Sequence, residues 1–204
     1  MGRASSVTSK TILARTLKGG AFNTASFFLE ELLHKKPEDT ELRAITYKGG
    51  GLSAREFKFP EYEDNNIYKN WDPIISAHLE GWGLYFVVND GGTKDIEITL
   101  CRAFFVEWDD RSKKEQLHIY KEKHLPEPTF MLDTGGKSIH YYWVFKSPIA
   151  TEVWLPIQRR LLDYCKADTS IKNPSRVMRL AGFYYIDKEG NPTVKSQIIN
   201  VTGK

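Results

Sequence analysis

Cysteine is scarce in this chain of 204 residues: only Cys101 and Cys165 occur, and no CxxC pair. That excludes a zinc ribbon and a disulfide framework. Both thiols sit among apolar residues and are expected as small core hydrophobes. Long hydrophobic runs are missing too. The apolar stretches are strand-sized, no secretory signal is visible, and no membrane span is expected, so a reducing cytoplasm is the default compartment. Excess charge is lacking: 29 Lys and Arg against 26 Asp and Glu leave a net +3. This permits a nucleic-acid partner without arguing for one, because the basic residues are spread along the chain. There is no internal repeat and no low-complexity tract. A P-loop is absent as well. Gly136-Lys137-Ser138 imitates its end, but Met131 stands where the motif needs glycine, and a strand follows instead of a helix.

What is present is a real core. Apolar residues make up 41% and aromatic residues 13% of the chain, enough for one sizeable α/β domain, or one domain with a small N-terminal appendage. Residues 1–20 read as a flexible or weakly helical lead-in. Asn23 is expected to cap a helix running to about Lys36 with Phe28, Leu29, Leu32 and Leu33 on its apolar face. Strands are expected over Leu42–Tyr47 and Arg55–Phe59 around the Gly49-Gly50-Gly51 turn, and the stretch through Asp72-Pro73 reads as a loop with one helical turn. Gly83–Val88 is a strand and Asn89–Asp95 a hairpin turn. Arg102–Trp108 is a strand, Arg111–Lys123 a charged helix with a wet lysine face, and Thr129–Asp133 and Ile139–Phe145 are strands. Val153–Cys165 is expected as an amphipathic helix with Trp154, Ile157, Leu161 and Tyr164 on one face, and Pro156 in its first turns. A last strand pair lies near Phe183 and Val194. The pattern is α+β: a mostly antiparallel sheet covered by helices.

Two clusters carry the chemistry. Phe104-Phe105-Val106-Glu107-Trp108-Asp109-Asp110 ends an apolar strand in acids, and Gly135-Gly136-Lys137-Ser138-Ile139-His140 opens another. Side chains alternate along a strand, so Glu107 and Asp109 share one face, and so do Ser138 and His140. Side by side, the two strands would frame one pocket with a metal-binding end and a phosphate-binding end. Two carboxylates on one face suit a pair of Mg²⁺ or Mn²⁺ ions. The glycine turn, with its N–H groups, Lys137 and Ser138, is a reasonable cradle for a triphosphate. The plainer readings are a strand that ends in acids, which covers Asp110 well and Glu107 poorly, and a packed core histidine. Asp168 reads equally as the cap of whatever follows it. Arg176 and Arg179 have apolar flanks, which argues that at least one guanidinium is held against a ligand or a carboxylate.

In order and spacing, these pieces resemble the archaeo-eukaryotic primase superfamily, especially the primase-polymerases of plasmids, phages and mobile elements. Glu107 and Asp109 match its acidic pair, Gly135-Gly136-Lys137-Ser138-Ile139-His140 its glycine turn and histidine, and Asp168 its third acid. Arg176-Val177-Met178-Arg179-Leu180-Ala181-Gly182 is similar to its arginine–leucine–proline–glycine stretch, with Ala181 in the place of proline. The resemblance spans roughly Leu84 to Phe183. It implies a palm-like sheet related to the RNA-recognition-motif (RRM) fold beside a smaller N-terminal α/β unit: residues 21–204 as a catalytic domain, divided at 80/81.

It further implies a DNA primase-polymerase, a nucleotidyltransferase that works by a two-metal mechanism and includes de novo primer synthesis. Glu107, Asp109 and Asp168 would hold two Mg²⁺ or Mn²⁺ ions. Lys137, Ser138 and His140 would grip an incoming NTP or dNTP, and Arg176 and Arg179 would contact nucleotide or template phosphate. Single-stranded DNA would be the template. A helicase or accessory domain would accompany an excised catalytic core of this kind. The rival readings are a metal-dependent nuclease or nicking replication protein, and a non-catalytic RRM-like nucleic-acid-binding module.

Overall fold

The computed structural model describes residues 20–46, 51–63 and 67–202. Residues 1–19 of the expected lead-in (1–20) and most of the Gly49-Gly50-Gly51 turn (residues 47–50) lie outside the described residues; Gly20 already belongs to a helix.

Helix α1 is described from residue 20 to 27 and continues as a π-helical turn, Phe28–Leu32. Asn23 therefore stands inside the helix and is not its cap. The reason is tertiary. Ala21 and Phe22 are fully buried, and the Phe22 ring meets Phe59 edge-on at 5.8 Å and Phe183 at 5.2 Å, so helix extends upstream of Asn23 to bring it into the core. It stops short of Lys36 because His34 takes a left-handed φ of 52°.

Four strands form the first sheet, in the order β2-β1-β5-β9: β1 (Glu41–Thr46), β2 (Ser53–Lys58), β5 (Gly83–Val87) and β9 (Val177–Arg179), all antiparallel. Leu42, Ala44 and Thr46 of β1 turn inward and alternate with outward residues. β5 and β9 come from beyond residue 80, so strands of 81–204 complete the sheet that begins in 21–80. Between β2 and β5 lie a small ribbon, β3 (Tyr62–Glu63) with β4 (Ile67–Tyr68), and helix α2 (Asp72–Leu79). The expected loop here is thus a full helix. Pro73 stands in its first turn, where the missing N–H costs nothing, and Ile74, Ile75, Ala77 and His78 are buried.

The second sheet has the order β12-β7-β8-β6, built from β6 (Leu100–Val106), β7 (Phe130–Asp133), β8 (Ile139–Ala150) and β12 (Gln197–Ile199), again antiparallel. With helices α3 (Lys113–Gln116) and α4 (Ile119–Glu122) after β6, and α5 (Thr151–Cys165) after β8, the chain runs strand, helix, strand, strand, helix, strand. The expected single helix over Arg111–Lys123 is thus two short ones. Phe28 joins the two sheets: its ring lies 5.2 Å from Phe86 of the first and 5.4 Å from Phe130 of the second.

Two expectations fail for related reasons. β5 and β6 belong to different sheets, so Asn89–Asp95 is a crossing and not a hairpin turn. Asp90 anchors the crossing, accepting from Lys35 Nζ at 2.7 Å and from Arg102 Nε at 2.6 Å. Helix α5 buries Trp154, Gln158, Leu162 and Cys165, so Ile157 (42% exposed) and Tyr164 (56%), both on the expected apolar face, lie outside the buried one. β6 is an edge strand whose backbone needs partners. Gln158 Nε2 donates to Phe105 O (2.7 Å), its Oε1 accepts from Phe105 N (3.3 Å), and Trp154 Nε1 donates to Ala103 O (2.8 Å). A polar glutamine on the inner face is the consequence. Both cysteines are buried as expected, and burial pushes each thiol up to about 11. No described helix is long and apolar enough to cross a membrane.

Candidate active site

The end of β6 sets the acidic pair. Trp108 is 1% exposed, its indole N–H donates to Cys165 O at 3.3 Å, and its ring meets Tyr141 edge-on at 5.4 Å. With Trp108 held inward, Glu107 and Asp109 both turn to the opposite side. At the start of β8, Ile139 and Tyr141 are buried, while Ser138 and His140 face those acids. Val106 pairs with Tyr141, which brings the two clusters together. Ser138 Oγ donates to Asp109 Oδ1 at 2.6 Å, and His140 Nε2 lies 2.9 Å from Glu107 Oε2. Burial works against the charged form of Glu107, but the His140 imidazole, then Arg176 and Arg179, outweigh it and hold the carboxyl below the usual range.

The opposite wall comes from the first sheet. Arg179 of β9 is cross-strand partner to Tyr85 of β5. Its Nη2 donates to the Tyr85 hydroxyl at 2.7 Å, and its guanidinium lies 4.2 Å over the Tyr85 ring and 5.2 Å over Tyr185. Arg179 is only 6% exposed, yet among the described residues its Nε and Nη1 have no hydrogen-bond partner, and neither has the buried Nε of Arg176. Buried guanidinium donors left unpaired are costly, and in a cavity wall they point to an anionic ligand. The cavity between the sheets measures about 540 Å³. Seven of the eight expected site residues line it: Glu107, Asp109, Lys137, Ser138, His140, Arg176 and Arg179.

Asp168 is the exception. Its N–H donates to Glu107 O at 3.0 Å, so its backbone adjoins the acidic pair. Its carboxylate turns elsewhere, accepting from Ser170 N (2.8 Å) and Ser170 Oγ (2.7 Å) as the cap of the 3₁₀ turn Thr169–Ile171. Among the described residues no group of three His, Cys, Asp or Glu side chains is placed to share a metal ion. Glu107 and Asp109 supply the hard oxygen donors that Mg²⁺ or Mn²⁺ requires, so the donor chemistry fits a divalent cation at that wall.

The glycine turn has a different role from the expected phosphate cradle. Gly135 N donates to Asp133 Oδ1 (2.8 Å) and Gly136 N to Thr134 Oγ1 (3.2 Å), so both N–H groups are spent within the turn. The glycines make room for a second ribbon, β10 (Tyr184–Ile186) with β11 (Pro192–Lys195). A Cβ at Gly135, where φ is +76°, would stand 2.2 Å from Val194 O, and one at Gly136 would stand 2.5 Å from the Tyr185 ring. This ribbon also brings Asp187 and Lys188 to the cavity. Sequence reasoning did not single out Tyr85 or Tyr185. For Tyr85 a signal existed: it alternates with buried Leu84 and Phe86, which puts it on the open face of its strand.

The cyanophage S-2L primase-polymerase resembles this chain in its archaeo-eukaryotic primase domain, with 38% identity over 86% of this chain and 88% of that one, at a TM-score of 0.74. This chain belongs to the archaeo-eukaryotic primase superfamily. Two further structures share the primase fold at lower identity. Primase RepB′ matches at 16% identity and TM-score 0.59, over 90% of this chain and 57% of that one. The catalytic domain of RepB′ in complex with initiator DNA matches at 15% and 0.56, over 90% and 87%. Neither a family model nor a curated protein matches. In this primase-superfamily chain the Arg179 guanidinium lies over two tyrosine rings, and the third expected acid, Asp168, is tied to Ser170.

Proposed function

We propose that this primase-superfamily chain is a DNA primase-polymerase that adds nucleotides to a strand templated by single-stranded DNA, and that it also starts primers de novo. The observation that carries the reading is the pairing, across one cavity, of the Glu107 and Asp109 carboxyl groups with Arg176 and Arg179 guanidinium donors that have no hydrogen-bond partner among the described residues. An incoming triphosphate is a polyanion, and Arg176, Arg179 and Lys137 are the groups to receive it. His140 holds the Glu107 carboxylate in place and stands at the phosphate side of the same wall.

Glu107 and Asp109 would hold divalent Mg²⁺ or Mn²⁺, with Asp168 completing a two-ion set once its carboxylate turns away from Ser170. Such ions lower the pKa of an attacking 3′-hydroxyl and neutralise the leaving pyrophosphate. Ser138 fixes the Asp109 carboxylate from one side, which limits the ways it can rotate. The template would be held chiefly through its backbone, so its binding should weaken steeply with salt. The likeness to the cyanophage enzyme supports the nucleotidyl-transfer class, and the RepB′ complex with initiator DNA supports a DNA partner.

The test is extension of a labelled strand on single-stranded DNA with each nucleotide type in turn, and on an unprimed circle for initiation. Lengthening is expected with the wild type, and Asp109→Ala should abolish it while the circular-dichroism spectrum is unchanged. Robust extension by Asp109→Ala would refute the assignment. Shortening of the strand would assign the site to a nuclease.

A further inference from the structure

The crossing between the sheets, residues 88–97, does more than connect them. It grips the turn that delivers Arg176 to the cavity. Asp95 opens a 3₁₀ turn, Asp95–Glu97, and its Oδ1 accepts three hydrogen bonds from across the sheet end: Ser175 Oγ at 2.6 Å, Ser175 N at 3.0 Å and Asn173 Nδ2 at 3.1 Å. Asn89 Nδ2 donates to Pro174 O at 2.9 Å, Val88 N donates to Arg176 O at 3.3 Å, and Arg176 N closes the turn onto Asn173 O at 3.1 Å. Each residue from Asn173 to Arg176 is therefore tied to the crossing.

Outside this grip, Arg176 has little to fix it. Among the described residues its side chain makes one long bond, Nη2 to Ser170 Oγ at 3.3 Å, and its Nε has no hydrogen-bond partner. A guanidinium on a long flexible stem loses rotamer freedom when it binds, so a rigid backbone at its root favours the bound geometry. Burial opposes the Asp95 charge, but the Ser175 and Asn173 donors outweigh it and hold the carboxyl below its usual range, so it is ionised at neutral pH.

We propose that Asp95 is a positioning residue: through the Asn173–Ser175 turn it sets Arg176 to receive the phosphates of the nucleotide. The proposal rests on the functional reading of Arg176 given above, and the experiment separates the two. Affinity for a fluorescent deoxyadenosine triphosphate with Mg²⁺ is measured by equilibrium titration on wild type, Asp95→Ala, Arg176→Ala and the double variant. Arg176→Ala should weaken binding by about tenfold or more, as loss of a charge-assisted contact does. Asp95→Ala should weaken it by about three- to tenfold, and the double variant should be no weaker than Arg176→Ala alone, since both changes remove one interaction. Asp95→Asn keeps an acceptor oxygen and should recover most of the loss.

Wild-type affinity in Asp95→Ala, or a double-variant loss equal to the product of the single losses, overturns the proposal while leaving Arg176 as a nucleotide contact. Wild-type affinity in Arg176→Ala overturns both. Should Asp95→Ala fail to fold, Ser175→Ala, which removes the shortest of the three bonds, takes its place in the same cycle.

Discussion

Replacing Arg179 by methionine should separate function from stability. In the ligand-free protein the guanidinium gains one hydrogen bond to the Tyr85 hydroxyl and two ring contacts, with Tyr85 and Tyr185. A hydrogen bond to a charged group contributes about 1.5–3 kcal/mol, and each desolvated ring contact about 1 kcal/mol. Against this stand two buried N–H-bearing nitrogens, Nε and Nη1, without hydrogen-bond partners among the described residues, at about 1–3 kcal/mol each. The two sides nearly cancel, and methionine fills much of the same volume without the orphaned donors. Arg179→Met should therefore change unfolding free energy by no more than about 1 kcal/mol, in either direction. Its triphosphate affinity should fall by roughly a hundredfold, the loss expected for a desolvated charge-assisted contact. Denaturant melts with and without triphosphate measure both: the wild type should gain stability from saturating ligand and the variant almost none. A loss of more than about 3 kcal/mol without ligand, together with unchanged affinity, would make Arg179 a structural cation and refute the reasoning.

Other outcomes follow from the same geometry. His78 is buried, with Nδ1 2.9 Å from Trp82 O and Nε2 accepting from Tyr184 N at 3.3 Å, and burial lowers its pKa to about 4. The unfolded chain therefore takes up that proton first as pH falls. The stability is present above about pH 6.5 and is lost on the way down to about pH 4, by about 2 kcal/mol between pH 7 and pH 5. His78→Gln should flatten that slope in paired denaturant melts, and an unchanged slope would show that other groups produce it. Gly135→Ala combines a positive φ with a Cβ 2.2 Å from Val194 O, so it should cost about 2 kcal/mol or more. It should also loosen the β10–β11 ribbon, read as faster amide exchange over Tyr184–Lys195. Gln158→Leu leaves the Phe105 N–H and C=O of the edge strand without their present partners. A destabilisation of about 2–4 kcal/mol is expected, and a neutral result would mean that β6 needs no covering.

Much of the site was legible in the sequence because strand parity is a local rule. Once Trp108 is known to point inward, Glu107 and Asp109 must share the other face, and Ser138 with His140 follows from the same two-residue period. No distant contact can alter that without flipping a whole strand. The antiparallel α+β character was legible too, from strand-sized apolar runs between turn residues. The helix faces were not. Hydrophobic periodicity favoured Ile157 and Tyr164, but the unpaired backbone of an edge strand selected Gln158 instead, and nothing within the helix itself records which strand it will cover.

The glycines make the same point in reverse. Gly135 and Gly136 were rightly singled out, but as a phosphate cradle. Only the approach of Tyr185 and Val194, far along the chain, shows that they leave space for another piece of backbone. Asp168 is the sharpest case. The chain folds its backbone against Glu107, while the aim of its carboxylate is a choice among side-chain rotamers that the neighbouring Ser170 decides. Alternation along a strand is fixed by covalent geometry, so the sequence alone determined which acids and which histidine share a face. Which side chains are left without partners, and so what the cavity is prepared to bind, depends on contacts between residues far apart in the chain, and only the tertiary structure decided it.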